Sequence, residues 1–253
     1  MITVGFAVPA YGASGQGAVL LDRALQSLSD QTRLPDQIAI SVERTSFDIL
    51  EPVLRKWDLG HTSLTLNDGR PGIGGNSNSA IRSLTTDLIC VLHQDDYLDS
   101  SGHVDRLVNF CSSSEANWWV MGSRHVSLDA SGSIAGDGKY VDWPRPLDVS
   151  RLRRRLWLGL NDLGSPSCMV FRSRPILRFR DDLTLLVDVE IYYRWLMKYG
   201  LPVRLPASIA VGTWAGQTQH EFSRWGHLVE LARWHAAFSR PKGPPSPRDS
   251  LCR

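Results

Sequence analysis

Asp95 and Asp96 close an apolar run of strand length, Leu88–Leu92, with His93 and Gln94 in between. In a sheet whose strands are buried on both faces, ligands collect where the strands' carboxyl ends emerge. Two acids there, beside an imidazole and an amide, could hold a hard divalent cation that carries phosphate oxygens. Taken alone, the segment is equally a strand followed by a solvated acidic turn. Three other constellations could do chemistry. Val8-Pro9-Ala10-Tyr11 ends the first apolar run, where Pro marks a strand exit and leaves Ala10 and Tyr11 at the sheet edge for a base or ribose. Asn67 to Asn78 holds four glycines within Gly69–Gly75 and then opens a helix, so backbone and helix terminus could approach a phosphate; the spacing is neither the Rossmann fingerprint nor a P-loop. Asp188-Val189-Glu190 stands at the start of a helical pattern, where acids complement the helix dipole or, if positioned, act as a general base. Trp214 to His220 combines aromatic and amide groups around Gly216, a pattern suited to stacking on and hydrogen bonding to a sugar, and equally to a surface loop.

Elements that would position these groups follow from periodicity. Strands are predicted over Ile2–Val8, Gln37–Val42, Ser63–Leu66 and Leu88–Leu92. Helices are predicted over Val19–Ser29, Ile49–Trp57 and Gly75–Ser83. This alternation argues for an α/β fold with a mostly parallel central sheet flanked by helices. The second half is less regular: a helix over Asp105–Ser112, a strand over Trp118–Gly122, a polar loop over Gly132–Trp143, a basic helix over Arg151–Leu158, a strand over Ser167–Phe171 and a helix over Val189–Tyr199. From Pro241 the chain is too rich in Pro to pack and is expected to be disordered.

With 253 residues, 42% hydrophobic and 21% charged, the chain suits one large globular domain over 1–240. A formal charge of +2 selects no partner class, and no extended basic patch with interleaved aromatics supports nucleic-acid binding. No apolar run is long enough to span a bilayer, and the N-terminus lacks a basic region before its apolar run. Cys90, Cys111, Cys168 and Cys252 have no metal-type spacing and read as free thiols, which points to the cytoplasm. The basic helix, Arg151 to Trp157, admits a peripheral contact with the inner face of the membrane, or simply a solvated basic face over a core stripe.

The four constellations, in this order, resemble glycosyltransferase family 2, the inverting enzymes of the nucleotide-sugar-binding, Rossmann-like GT-A fold. The likeness runs from about Ile2 to Gln217. Pro9-Ala10-Tyr11 is similar to the family's Pro-x-Tyr, Ser27-Leu28-Ser29-Asp30-Gln31-Thr32 to its Ser-Leu-x-x-Gln-Thr, and His93-Gln94-Asp95-Asp96 stands in place of its Asp-x-Asp motif. Asp188, six residues before Arg194, falls where the family has its catalytic base.

The resemblance implies a nucleoside-diphosphate sugar as donor and a sugar, lipid-linked or small-molecule hydroxyl as acceptor. It implies a nucleotide-binding half over about 1–100 and an acceptor-binding half over 101–225. Pro9, Ala10, Tyr11, Glu43, Asn67, Gly69, Asn78, Gln94 and Asp95 would meet the donor nucleotide. Asp95, with His93 and Asp96, would hold Mg²⁺ or Mn²⁺, and Ser165, Pro166, Ser167, Glu190, Trp214 and Gln217 would shape the sugar and acceptor pocket. Three departures stand out: Arg44 where a second acid usually follows Glu43, His93 for the first metal-motif acid, and Val187 for the Glu that often precedes the base. They keep open a catalytically silent binding module. A nucleotidyltransferase is a further alternative, weakened because Gly12–Gly17 carries no Arg or Lys.

Overall fold

The computed structural model describes residues 2–12, 15–57, 60–136, 140–141, 148–174, 178–213 and 224–239. The elements are β1 (Val4–Ala10), α1 (Gly15–Ser29), β2 (Gln37–Glu43), α2 (Phe47–Lys56), β3 (Thr62–Asn67), α3 (Ile73–Arg82), β4 (Leu88–Val91), β5 (Tyr97–Leu98), α4 (His103–Ser112) and β6 (Trp118–Leu128). They continue with β7 (Ile134–Gly136), β8 (Tyr140–Val141), α5 (Val149–Trp157), β9 (Met169–Arg172), α6 (Val187–Tyr199), β10 (Val203–Thr213) and a last helix, Arg224–Ser239.

One sheet runs β3-β2-β1-β4-β9-β6-β10-β5, with β7 and β8 paired to β6. β1 lies parallel to both β2 and β4, and β2 to β3. β9 is antiparallel to β4 and β6, β10 is parallel to β6, and β5 is antiparallel to β10. Six of these eight strands therefore share one direction, as the strand–helix alternation predicts. The strand order reverses at β1, so its carboxyl end and that of β4 form the crevice where such sheets take ligands.

Side chains alternate along each strand into two cores. Phe6 and Val8 pack with Leu21, Leu25 and Leu107 on the α1 and α4 face. Ala7 and Val91 face Ile81 of α3, Ile191 of α6 and Trp234 of the last helix. Burial on both faces explains why β1 and β4 read as unbroken apolar runs. Cys90, Cys111 and Cys168 are buried free thiols, as expected.

Four elements depart from the sequence reading. The expected loop Gly132–Trp143 contributes β7 and β8 to the sheet. β10 carries Pro206 within it, and the register against β6 slips between Arg204 and Ser208. That bulge accommodates a residue with no N–H, and it broke the apolar alternation by which the strand would have been recognised. The last helix carries apolar residues all round, so no single apolar face marks it in the sequence. The expected tail from Pro241 lies outside the described residues. Among the described residues no helix is long and apolar enough to cross a membrane.

The glycine-rich segment has a structural cause. Gly72 begins α3 at φ 112°, a conformation that favours glycine. A Cβ on Gly75 would run into the Arg70 carbonyl oxygen, and one on Gly74 into that of Arg180. These two glycines admit the chain's own backbone, not only a ligand. Gly75→Ala should therefore cost about 2–3 kcal/mol by overpacking and lower Tm by roughly 5–10 °C. A thermal melt matching the parent's would show that the Arg70 turn can move aside at no cost.

Candidate active site

The crevice at the β1–β4 switch is braced by Gln94. Its Oε1 accepts from the Tyr11 backbone N–H at 2.6 Å, and its Nε2 donates to the Tyr11 carbonyl at 2.5 Å. Both ends of the amide are thus taken in tying the exit of β1 to that of β4. Asn76, on the first turn of α3, donates to the Ala10 carbonyl at 2.9 Å. Its own Oδ1 is buried without a partner.

Past Gln94, ligand atoms of His93, Asp95 and Asp96 all lie within 4.8 Å of one another. Asp96 is 2% exposed. Its Oδ2 accepts from Ser165 Oγ at 2.9 Å and its Oδ1 from the Gly212 N–H at 3.1 Å. Burial, and then the neighbouring Asp95 charge, push the Asp96 carboxyl up from the ordinary range. Burial pushes the His93 imidazole down, which favours the neutral, ligating form. Arg23 of α1 also feels the charges of both acids. Two carboxylates and a neutral imidazole form a mixed O/N donor set that fits Mn²⁺ or Mg²⁺. A cation there would relieve the mutual repulsion that raises Asp96.

The expected sugar-pocket serines belong to this cluster. Ser165 holds Asp96, Ser167 Oγ accepts from the His93 N–H at 2.9 Å, and Pro166 begins the buried 3-10 turn Pro166–Cys168 between them.

A second group forms at the ends of β2 and β3. Glu43 and Asn67 are register partners. Glu43 Oε1 accepts from Asn67 Nδ2 and from the Gly72 N–H, both at 3.0 Å, and the Gly69 N–H bonds Asn67 Oδ1 at 3.1 Å. The α3 N-terminus, expected to await a phosphate, is thus met by the Glu43 carboxylate.

Asp188 opens α6. Its Oδ1 accepts from the Val189 N–H at 2.7 Å, and its Oδ2 from Asn161 Nδ2 at 2.5 Å. Burial pushes its carboxyl up to about 6, against the lowering effect of these two bonds. Asn161 went unnoticed in the sequence because it stands in no motif. It organises its loop: Nδ2 also donates to the Gly164 carbonyl, and Oδ1 accepts from the Leu163 and Gly164 N–H groups. Tyr192 of α6, wholly buried, donates to the same Gly164 carbonyl at 3.1 Å. One stretch, Asn161 to Ser167, therefore holds Asp188 at one end and the Asp96–His93 cluster at the other.

Two expected contacts are corrected. Asn78 exchanges both its amide groups with the Phe179 backbone at 2.8 Å, so it fastens α3 to that segment instead of facing a nucleoside. Glu190 is 1% exposed, with both oxygens bonded to the half-exposed Arg194, so it serves an ion pair along α6. Trp214, Gln217 and His220 lie outside the described residues.

A sequence profile described as Glycosyl transferase family 2 matches residues 6–178, more than half of the chain. The chain belongs to glycosyl transferase family 2. The glycosyltransferase class implied by the resemblance is thus shown. Among solved structures, TarS of S. aureus (residues 1–349, with UDP) is similar at TM-score 0.63 and 13% identity, covering 93% of this chain and 65% of its own. The mannosyltransferase PcManGT of Pyrobaculum calidifontis, in complex with GDP-Man and Mn²⁺, gives 0.59 and 15%, covering 96% and 66%. Glucosyl-3-phosphoglycerate synthase of Mycobacterium tuberculosis, with Mg²⁺ and UDP, gives 0.61 and 13%, covering 98% and 85%. At these identities the likeness shows the fold, and this chain spans about two thirds of the length of the first two. A search of curated proteins found no match.

Two departures from the family-2 pattern now have a physical setting. Val187 is buried among the α3 and α6 side chains, a site where a carboxylate would cost desolvation. Arg44 is exposed in the turn after β2.

Proposed function

We propose that this chain transfers a sugar from a nucleoside-diphosphate donor to an acceptor hydroxyl with inversion, aided by Mg²⁺ or Mn²⁺. The supporting observation is the convergence of Asp188 and the His93–Asp95–Asp96 cluster on the single stretch Asn161–Ser167, at the carboxyl edge of the sheet. The nucleoside would lie across the ends of β1 to β3, near Pro9, Ala10, Tyr11, Glu43, Asn67 and Gly69. Residues 1–100 would thus serve the donor and 101–225 the acceptor, within one domain over 1–240.

Asp95, with His93 and Asp96, would hold the metal, whose charge would neutralise the departing diphosphate. The acceptor oxygen attacks the anomeric carbon as the bond to the diphosphate breaks. Its proton passes to Asp188 Oδ2 or Oδ1. A carboxyl raised to about 6 is ionised at neutral pH yet basic enough to take that proton. The structural relatives bound to UDP and to GDP-Man are consistent with a nucleotide-sugar donor.

Calorimetric titration of UDP, GDP, CDP and dTDP, with and without Mn²⁺, tests the reading. Metal-dependent binding of one of them is expected, and it names the donor class. Failure of all four in a folded sample would leave a silent binding module.

A further inference from the structure

The helix Arg224–Ser239 carries apolar residues on its buried side and a further apolar stripe turned outward. Trp225, Leu228, Val229, Ala232 and Ala236 recur at i, i+3, i+4, i+7 and i+11, and all are exposed, Trp225 to 76%. The opposite side of the helix is held to the body. Glu230 accepts from the N–H groups of Thr184, Leu185 and Leu186, and Trp234 is fully buried. A soluble helix normally buries its apolar stripe, so an outward one marks an interaction surface.

The segment just after α5 packs beside this helix. Gly159 lies against His227 and Leu231 of the last helix, and its neighbours Leu158 and Leu160 are exposed to 51% and 42%. α5 itself buries Leu152 and Leu156 in the core, so it has no free apolar face of its own. What it presents outward is Arg151, Arg153 and Arg154. Among the described residues no acid forms an ion pair with Arg153 or Arg154, and the sole acid on either helix is the buried Glu230.

We infer that this composite face, the outward stripe of Arg224–Ser239 with Leu158, Leu160 and the α5 arginines, docks on an anionic lipid bilayer. Charge complementarity decides the occupant. A tryptophan and several aliphatic side chains would enter the interfacial layer, while guanidinium groups beside them meet lipid phosphates. The exposed acid beside α5, Asp148, is bonded to Ser150, so a two-fold partner copy would bring chiefly its own arginines. Basic helix and apolar face come from different elements, so neither is a membrane helix by its own sequence. The face adjoins the site, since Leu160 precedes Asn161, whose side chain holds Asp188. This docking does not depend on the transfer reaction, and donor binding can be measured separately.

Sedimentation of the full chain with vesicles tests it. Vesicles of phosphatidylcholine mixed with phosphatidylglycerol should bind the protein at least about tenfold more tightly than phosphatidylcholine alone, with the gain removed by salt. The pair Trp225→Ser and Leu228→Ser, and separately Arg153→Glu with Arg154→Glu, should each abolish the binding. Both pairs replace exposed residues, so nucleotide affinity and the thermal melt should stay at the parent values. No binding by the intact protein, or binding that survives the Trp225 and Leu228 changes, would overturn the inference. So would light scattering that shows a dimer dissociated by those changes with no vesicle binding.

Discussion

Asp188→Asn should lower transfer by about 10²–10⁴-fold, the usual worth of a positioned general base, while nucleotide affinity measured by calorimetry stays unchanged. The carboxylate is bonded to Asn161 and Val189. The parent's kcat should fall on the acid side with a midpoint near 6, because the protonated carboxyl cannot accept a proton. Asn161→Ala removes a hydrogen bond that favours the ionised form, so that midpoint should move to higher pH, with kcat reduced and donor affinity kept. Asn161→Ser, which retains a short donor, should recover part of the loss. Near-normal transfer by Asp188→Asn would refute the base assignment, and an unmoved acid limb in Asn161→Ala would refute the tuning role of that bond.

Stability should move in the other direction. A carboxyl raised on folding makes the native state bind the proton more tightly, so stability falls as pH rises from the unfolded value to about 6 and stays lower above it. Removing the charge at pH 8 therefore relieves a penalty on the order of 1–2 kcal/mol, reduced from the full shift because Asp188 keeps some solvent contact. Asp188→Asn should melt no lower than the parent at that pH.

Asp95→Ala should have the second large effect. The Mn²⁺-dependent part of nucleoside-diphosphate binding should disappear, and transfer should drop by about a thousandfold, since electrostatic stabilisation of a leaving group is worth several kcal/mol. Asp95 is half-buried, whereas Asp96 is anchored by Ser165 and the Gly212 N–H. Asp96→Ala should therefore also lower the melting temperature by leaving both donors unmatched, and Asp95→Ala should not. An unchanged metal response in Asp95→Ala would remove it from the ligand set.

Much of the first hundred residues was legible because its signals are local. β1 and β4 announce themselves as apolar runs since each is buried on both faces, and Pro9 and Asp95-Asp96 mark their carboxyl ends. Asp188 was found by its place at a helix start. The last helix and β10 were not found, for opposite reasons. Pro206 and the bulge beside it interrupt the alternation of β10, while the helix carries apolar residues all round, so that no one face stands out.

Site residues divide along the same line. Gln94, Asn67, Ser165 and Glu43 could be singled out from position, but their bonding partners could not. Gln94 is braced to Tyr11 across 83 residues, and Ser165 reaches Asp96 across 69. Asn78 and Glu190 have the residue types of ligand contacts, yet Phe179 and Arg194 take their polar atoms. The core strands, the acids and the helix that bears Asp188 are legible from the chain alone, because periodicity and residue type are carried by neighbours in it. Which polar groups are already matched, that Asn161 holds Asp188, and that an apolar stripe faces outward are set by the folded chain. Those outcomes depend on which distant backbone and side-chain atoms meet once the two cores close on the sheet.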